Sequence, residues 1–115
     1  MEGKVLTAIF ELNGQRFMAL DGGPLFKFTE AVSFYVECED QAEVDYFWNR
    51  LSASPEAEQC GWLKDKFGLS WQIVPKQLGE LVGSPNRQKS VAATNAMLKM
   101  KKIVIADLQK AFDSA

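Results

Sequence analysis

The dipeptide Asn13-Gly14 separates two runs of residues that favour an extended chain, at 5–12 and 15–20. A two-residue connection between paired strands requires positive φ at both positions, and asparagine followed by glycine adopts that backbone most readily. The sequence therefore predicts a β-hairpin here. The first run is apolar on both faces along most of its length, which is typical of a strand that is covered on both sides.

A third strand and a helix are predicted after the hairpin. Residues 31–37 are rich in aromatic and β-branched side chains, which favour strands. Asp40 is a good helix N-cap, and Glu43 three positions later gives a start that resembles a capping box. Apolar residues then recur at helical spacing, at Val44, Phe47, Trp48 and Leu51.

The rest of the chain predicts a second hairpin and a set of helices. Residues 61–74 form two extended runs on either side of Gly68, and Pro75 ends the second run. Helical stretches follow at 78–82, 87–101 and 105–112. The order of the elements indicates an α+β fold with a mainly antiparallel sheet and C-terminal helices.

The composition excludes several kinds of function. The chain has no histidine, which removes Ser-His-Asp triads, Cys-His pairs and histidine-ligated zinc. Its formal net charge of −2 argues against a nucleic-acid surface, and no run of about 18 apolar residues predicts a membrane span. Cys38 and Cys60 lack metal-ligand spacing and are most simply reduced thiols, so we expect a cytoplasmic protein.

Two groups of side chains are candidates for chemistry. The acidic residues Glu37, Glu39 and Asp40 are explained by helix capping and a solvated edge, and Asp65 by a turn hydrogen bond. Aromatic residues on strands form either ordinary core or the lining of a pocket, and both interpretations stay open here. These aromatic residues are Phe34, Tyr35, Trp62, Phe67 and Trp71.

The segment 60–75, CGWLKDKFGLSWQIVP, resembles the glyoxalase/bleomycin-resistance (vicinal-oxygen-chelate) superfamily, and in it the 3-demethylubiquinone methyltransferase-like branch. Residues 17–23, 33–36 and 96–103 resemble the same branch. The resemblance implies glyoxalase-like βαβββ modules that wrap a cup-shaped sheet around a ligand or metal.

On this pattern, residues 1–115 form a single glyoxalase-like domain with a truncated first module. Residues 4–24 would be the end of module one, 30–75 module two, and 76–115 the C-terminal helices. A sheet that lacks strands has exposed edges, so we expect a homodimer in which the second copy completes the sheet.

The resemblance also places metal ligands. In metal-using relatives one ligand falls on the position of Ser33, and a glutamate falls on the position of Gln72. A hydroxyl and a neutral amide are poor ligands for zinc, nickel or iron. We therefore expect no metal and no cofactor, and metal-dependent glyoxalase or dioxygenase activity is not expected.

The preferred hypothesis is a metal-free protein that binds a small aromatic or apolar ligand. Ser33, Tyr35 and Gln72 would supply hydrogen bonds, Trp62 or Trp71 would stack on the ligand and Lys64 would pair with an anionic group. These residues alternate along their strands, which puts neighbours in each strand on one face. Trp71 and Gln72 point to opposite faces, and Gln72 is preferred because the ligand position of the family faces inward.

Two alternatives remain open. One is an enzyme of the methyltransferase or isomerase type. The other is a structural module whose role is dimerisation. Binding of a methyl donor would favour the first alternative, and the mass in solution tests the second.

Overall fold

The computed structural model describes residues 3–115 and shows two small β-sheets and four α-helices in that range. This is the α+β class that the sequence predicts. A single 3-10 turn at Pro55–Ala57 precedes β4. The strands are β1 (Thr7–Leu12), β2 (Gln15–Leu20), β3 (Ser33–Cys38), β4 (Trp62–Lys64) and β5 (Ser70–Pro75), and the helices are α1 (Gln41–Leu51), α2 (Lys76–Val82), α3 (Arg87–Leu98) and α4 (Ile105–Asp113).

The first sheet is the predicted hairpin of β1 and β2, called the hairpin arm below. Its strands pair antiparallel, with Thr7 opposite Leu20 and Leu12 opposite Gln15. Asn13 and Gly14 have φ values of 50° and 81°, so both turn residues lie in the left-handed region. The hairpin is confirmed, with its turn at the predicted dipeptide.

The expectation that β1 is covered on both sides is wrong for the chain by itself. All six residues of β1 are exposed. The reason is the shape of the chain, whose radius of gyration of 17.2 Å exceeds the value of about 13 Å expected for a compact domain of this length. The hairpin arm touches the second sheet through Phe17, whose ring lies 5.4 Å from that of Phe34.

The second sheet has the strand order β3-β5-β4. β4 and β5 pair antiparallel, as predicted for a hairpin, and β3 pairs parallel with β5. Parallel strands need a long crossover connection, which α1 supplies here. Two of the three strand pairings in the described residues are antiparallel, in agreement with the predicted mainly antiparallel character.

Helix α1 covers one face of this sheet. Asp40 caps the helix by accepting a 2.9 Å hydrogen bond from the backbone N–H of Glu43. The Glu43 carboxylate in turn accepts from the backbone N–H of Glu39 at 3.3 Å, which satisfies a second free donor at the helix start. The buried core between helix and sheet consists of Cys38, Val44, Trp48, Leu63 and Ile73.

The C-terminal helices form a second core that is attached to the first. Backbone hydrogen bonds of 2.8 Å run from Cys60 to Met100 and from Gly61 to Lys101. The members of this second core are Leu81, Ala93, Ile103 and Leu108. Across residues 3–115, each helix is too short or too polar to cross a membrane.

Candidate functional site

The strand register sorts the side chains of the second sheet onto two faces. Leu63 and Ile73 point to α1, where they are buried. The residues beside them in each strand therefore point to the opposite face. Paired positions form two rows there: Ser33, Ser70 and Lys64 in one row, and Tyr35, Gln72 and Trp62 in the next. We call this set the open face.

All five predicted ligand-binding residues lie on this open face. Gln72 donates a 2.9 Å hydrogen bond from Nε2 to the hydroxyl of Ser33 on the neighbouring strand. Tyr35 is exposed beside them, and partial burial of its phenol, followed by the nearby charge of Glu37, raises its pKa. The role of these residues in ligand binding remains a prediction.

Lys64 forms an ion pair with Glu30, which precedes β3. The side chain of Lys64 is 31 % exposed and that of Glu30 is 64 % exposed. The hydrogen bond from Lys64 lowers the pKa of the Glu30 carboxyl, because it stabilises the charged form. Lys64, the residue predicted to bind an anionic group, is therefore already paired with a carboxylate of the protein.

A groove of about 700 Å³ runs along β4 beside the open face. Trp62, Lys64 and Ser70 line it from the open face, and the chain before β4 contributes its other wall. Ser33, Tyr35 and Gln72 are not among its lining residues. The structure therefore splits the predicted site into a polar pair at the centre of the sheet and a groove at its β4 edge.

Three of the five aromatic candidates lie outside this face. Phe34 and Trp71 meet edge to face with ring centroids 5.1 Å apart, and Trp71 packs against the core under α1. The core interpretation applies to Trp71, and Phe34 is half-buried between Trp71 and Phe17 of the hairpin arm. Phe67 is exposed in the turn between β4 and β5.

Asp65 has the turn role that the sequence predicts. Its Oδ1 accepts hydrogen bonds from the backbone N–H groups of Phe67 and Leu69 at 2.9 and 3.0 Å. Its Oδ2 accepts from the indole Nε1 of Trp71, also at 2.9 Å. This carboxylate is thereby committed to holding the β4–β5 turn.

Among the groove residues that sequence reasoning missed, two lie beside Lys64: Ser70 and Glu30. Ser70 lies in the same row as Lys64, and the alternation with Gln72 on β5 was sufficient to find it. Glu30 gave no such signal, because it is 34 positions from Lys64 in the sequence and lies outside any strand. Both residues bear on what the groove can bind.

Two comparisons with known proteins bear on this site. Residues 1–74 match the family model of 3-demethylubiquinone-9 3-methyltransferase. A PhnB protein from Bacillus cereus, provisionally described as the same methyltransferase, is 39 % identical with a TM-score of 0.52, covering 65 % of this chain and 67 % of that chain. The chain belongs to this glyoxalase-type family. No match is found among curated proteins.

Since the chain belongs to a glyoxalase-type family, the residues at its metal-ligand positions decide whether a metal ion fits. The positions at which the family resemblance places metal ligands hold Ser33 and Gln72, and these two groups hydrogen-bond to each other. Neither is a strong ligand for a transition metal. Within residues 3–115, no group of three or more histidine, cysteine, aspartate or glutamate side chains is placed to hold a metal ion. The residues present do not fit a family metal.

Proposed function

We propose that this glyoxalase-type protein binds a small organic molecule on the open face without a metal ion. The observation that carries the proposal is the grouping of hydrogen-bonding, cationic and aromatic side chains on the sheet face opposite α1, beside the groove. The groove volume of about 700 Å³ lies within the range of roughly 300–1,000 Å³ that is usual for small-molecule sites.

Each side chain has a role that follows from its chemistry. Trp62 offers an apolar aromatic surface on which a planar ligand stacks. Tyr35 offers a hydroxyl that donates or accepts, and the Ser33–Gln72 pair retains an unused amide oxygen and amide hydrogen. Lys64 supplies the cation at the groove end of the face.

The proposal includes a second copy of the chain that covers the hairpin arm. Met18 and Leu20 are each 67 % exposed, and Ile9 on the facing strand is 58 % exposed. An apolar arm of this kind, extended from the body, is a common element of exchange between identical chains. In this arrangement residues 4–24 complete the partner's module, while 30–75 and 76–115 form the body of one domain.

The two free thiols favour a reducing compartment such as the cytoplasm. Cys38 is buried and Cys60 is half-buried, and both thiols are free. Desolvation of the buried Cys38 thiol raises its pKa to about 11, which keeps it in the unreactive protonated form.

Tryptophan fluorescence tests the binding proposal. Titration with small aromatic and quinone-type compounds should give a saturable change that is lost in Trp62→Phe. Trp71→Phe is the matched control, because Trp71 lies on the α1 side of the same sheet. The absence of any saturable change, or its loss in Trp71→Phe alone, would contradict the proposal.

Calorimetry with a methyl donor separates binding from methyl transfer. Saturable binding of the donor would favour an enzyme of the methyltransferase type. The proposed binding function predicts no measurable heat with the donor and a measurable heat with the compounds that change the fluorescence of Trp62.

A further inference from the structure

Ser70 is a buried polar group with unused hydrogen-bonding capacity at the wall of the groove. Ser70 is 1 % exposed, and its hydroxyl oxygen has no hydrogen-bond partner in the described structure. Leaving a hydroxyl of this kind unpaired costs roughly 1–3 kcal/mol. A ligand that reaches Ser70 from the groove recovers that interaction.

A carboxylate of the protein itself already pairs with Lys64, which lies beside Ser70 in the same row of the open face. Lys64 is the register partner of Ser70 on β4, and the carboxylate of Glu30 lies on its ammonium group. Glu30 belongs to the segment between β2 and β3, which is exposed from Gly22 to Val32. Exposed ion pairs contribute little to stability, so this carboxylate is readily exchanged for another.

We propose that the groove binds an organic carboxylate whose acid group replaces Glu30 on Lys64 and accepts a hydrogen bond from Ser70. This inference rests on the proposed function and specifies the class of its ligand. The apolar part of the ligand then lies along Trp62, which lines the same groove. Glu30 acts as a resident competitor that occupies the position of the acid group until a ligand arrives.

The charges in the groove make the exchange selective. Glu30 and Glu56 both line the groove, and Lys64 is the cation on its wall among the described residues. A ligand carboxylate gains an attractive partner only by displacing Glu30, since otherwise two negative charges oppose it. Compared with Glu30, the ligand gains the additional hydrogen bond from Ser70.

Three probes of similar shape test the inference on the full-length protein: benzoate, benzamide and benzylamine. Dissociation constants are measured by NMR chemical-shift titration of the backbone amides of β4 and β5. We expect benzoate to bind more tightly than benzamide, and benzylamine to bind least. Glu30→Gln should tighten benzoate binding severalfold, whereas Glu56→Gln, the control in the same groove, should change it less.

Two further variants test the proposed contacts. Lys64→Met should weaken benzoate by about tenfold and leave benzamide nearly unchanged, since a hydrogen bond to a charged group is lost. Ser70→Ala should weaken benzoate severalfold without loss of stability, because it removes a hydroxyl that is unpaired in the free protein. Thermal unfolding of each variant separates weaker binding from misfolding.

The outcomes separate this inference from the proposed function. Equal binding of benzoate and benzamide, unchanged in Glu30→Gln, overturns the acid subsite but leaves small-molecule binding intact. Preferential binding of benzylamine that is weakened in Glu30→Gln also overturns it, because the carboxylates would then be the recognition groups. If none of the three probes shifts a backbone amide of β4 or β5, the result counts against the acid subsite and against the proposed small-molecule binding.

Discussion

The amide of Gln72 donates a hydrogen bond to the hydroxyl of Ser33 over 2.9 Å, across the parallel pair of β3 and β5. The two residues lie in adjacent rows of the register, so the bond runs diagonally across the sheet. It joins the two positions at which the family resemblance places metal ligands. The centre of the open face is therefore a neutral pair of polar groups that bond to each other and keep further hydrogen-bonding capacity on the Gln72 amide.

Loss of this bond should have a small and measurable effect on stability. In a double-mutant cycle with Ser33→Ala and Gln72→Leu, we expect a coupling energy of roughly 0.5–1.5 kcal/mol, because both groups are half-buried and neutral. Urea unfolding of the wild type, the two single variants and the double variant measures it. A coupling energy indistinguishable from zero would mean that the two groups do not stabilise each other.

The alternation of side chains along the strands was sufficient to predict the open face. Residues 33 and 35, and 62 and 64, lie two apart, and a strand places such residues on one side whatever its neighbours are. The same rule puts Gln72 and Trp71 on opposite faces, as observed. Local rules of this kind depend on the backbone of one strand and need no knowledge of the rest of the fold.

Features that depend on distant parts of the chain could not be predicted in this way. The parallel pairing of β3 with β5 depends on the path of α1, and the ion pair of Glu30 with Lys64 on the position of an irregular segment. The exposure of β1 has a different origin. Its apolar pattern predicts a covered strand, whereas all six residues of β1 are exposed in a single copy of the chain.

Gly61 is predicted to be the most sensitive glycine of the second hairpin. Its φ is +86°, and an added Cβ would lie 3.2 Å from Cγ1 of Ile103 and 3.3 Å from the carbonyl oxygen of Ile73. Gly61→Ala should destabilise the protein by about 2 kcal/mol or more, because backbone strain and steric contact add. Gly68→Ala isolates the strain, since Gly68 has φ +88° and nothing within 4 Å of an added Cβ. Chemical denaturation of both variants measures the difference, and equal losses would contradict the role of Ile103.

Gln41 is predicted to hold the C-terminal helices against α1. Its Nε2 donates to the carbonyl of Ile103 at 3.0 Å, and its Oε1 accepts from the backbone N–H of Ile105 at 2.7 Å. Gln41→Ala should cost about 2 kcal/mol, because both partly buried backbone groups lose their partner. Gln109→Ala is the control, since its amide bonds to Asp113 on the exposed side of α4 and should cost less than about 0.5 kcal/mol. Thermal unfolding compares the two variants.

The hairpin arm is predicted to hold two copies together. Ile9 and Met18 are register partners on its exposed face, so Ile9→Lys combined with Met18→Lys places two like charges where the second copy would pack. We expect a dimer of the wild type and a monomer of the double variant, with unchanged circular dichroism, because charges are excluded from an apolar interface. Glu11→Lys and Arg16→Glu exchange an exposed pair on the same arm and should leave the dimer intact. Light scattering after gel filtration measures the mass, and a wild-type monomer would refute the assembly.

Cys38 should make the stability of the protein fall at alkaline pH. Burial, followed by the charges of Glu43 and Asp40, raises the pKa of its thiol from 9.0 to about 11. Between these values the unfolded chain releases the proton and the folded chain retains it, so the free energy of unfolding falls as the pH rises. The stabilisation is complete below pH 9 and is lost toward pH 11, with a total of about 3 kcal/mol. Cys38→Ala should remove this part of the slope in urea titrations, whereas Cys60→Ala, which removes the other thiol, should leave it. An identical slope in the wild type and Cys38→Ala would show that the thiol ionises equally in both states.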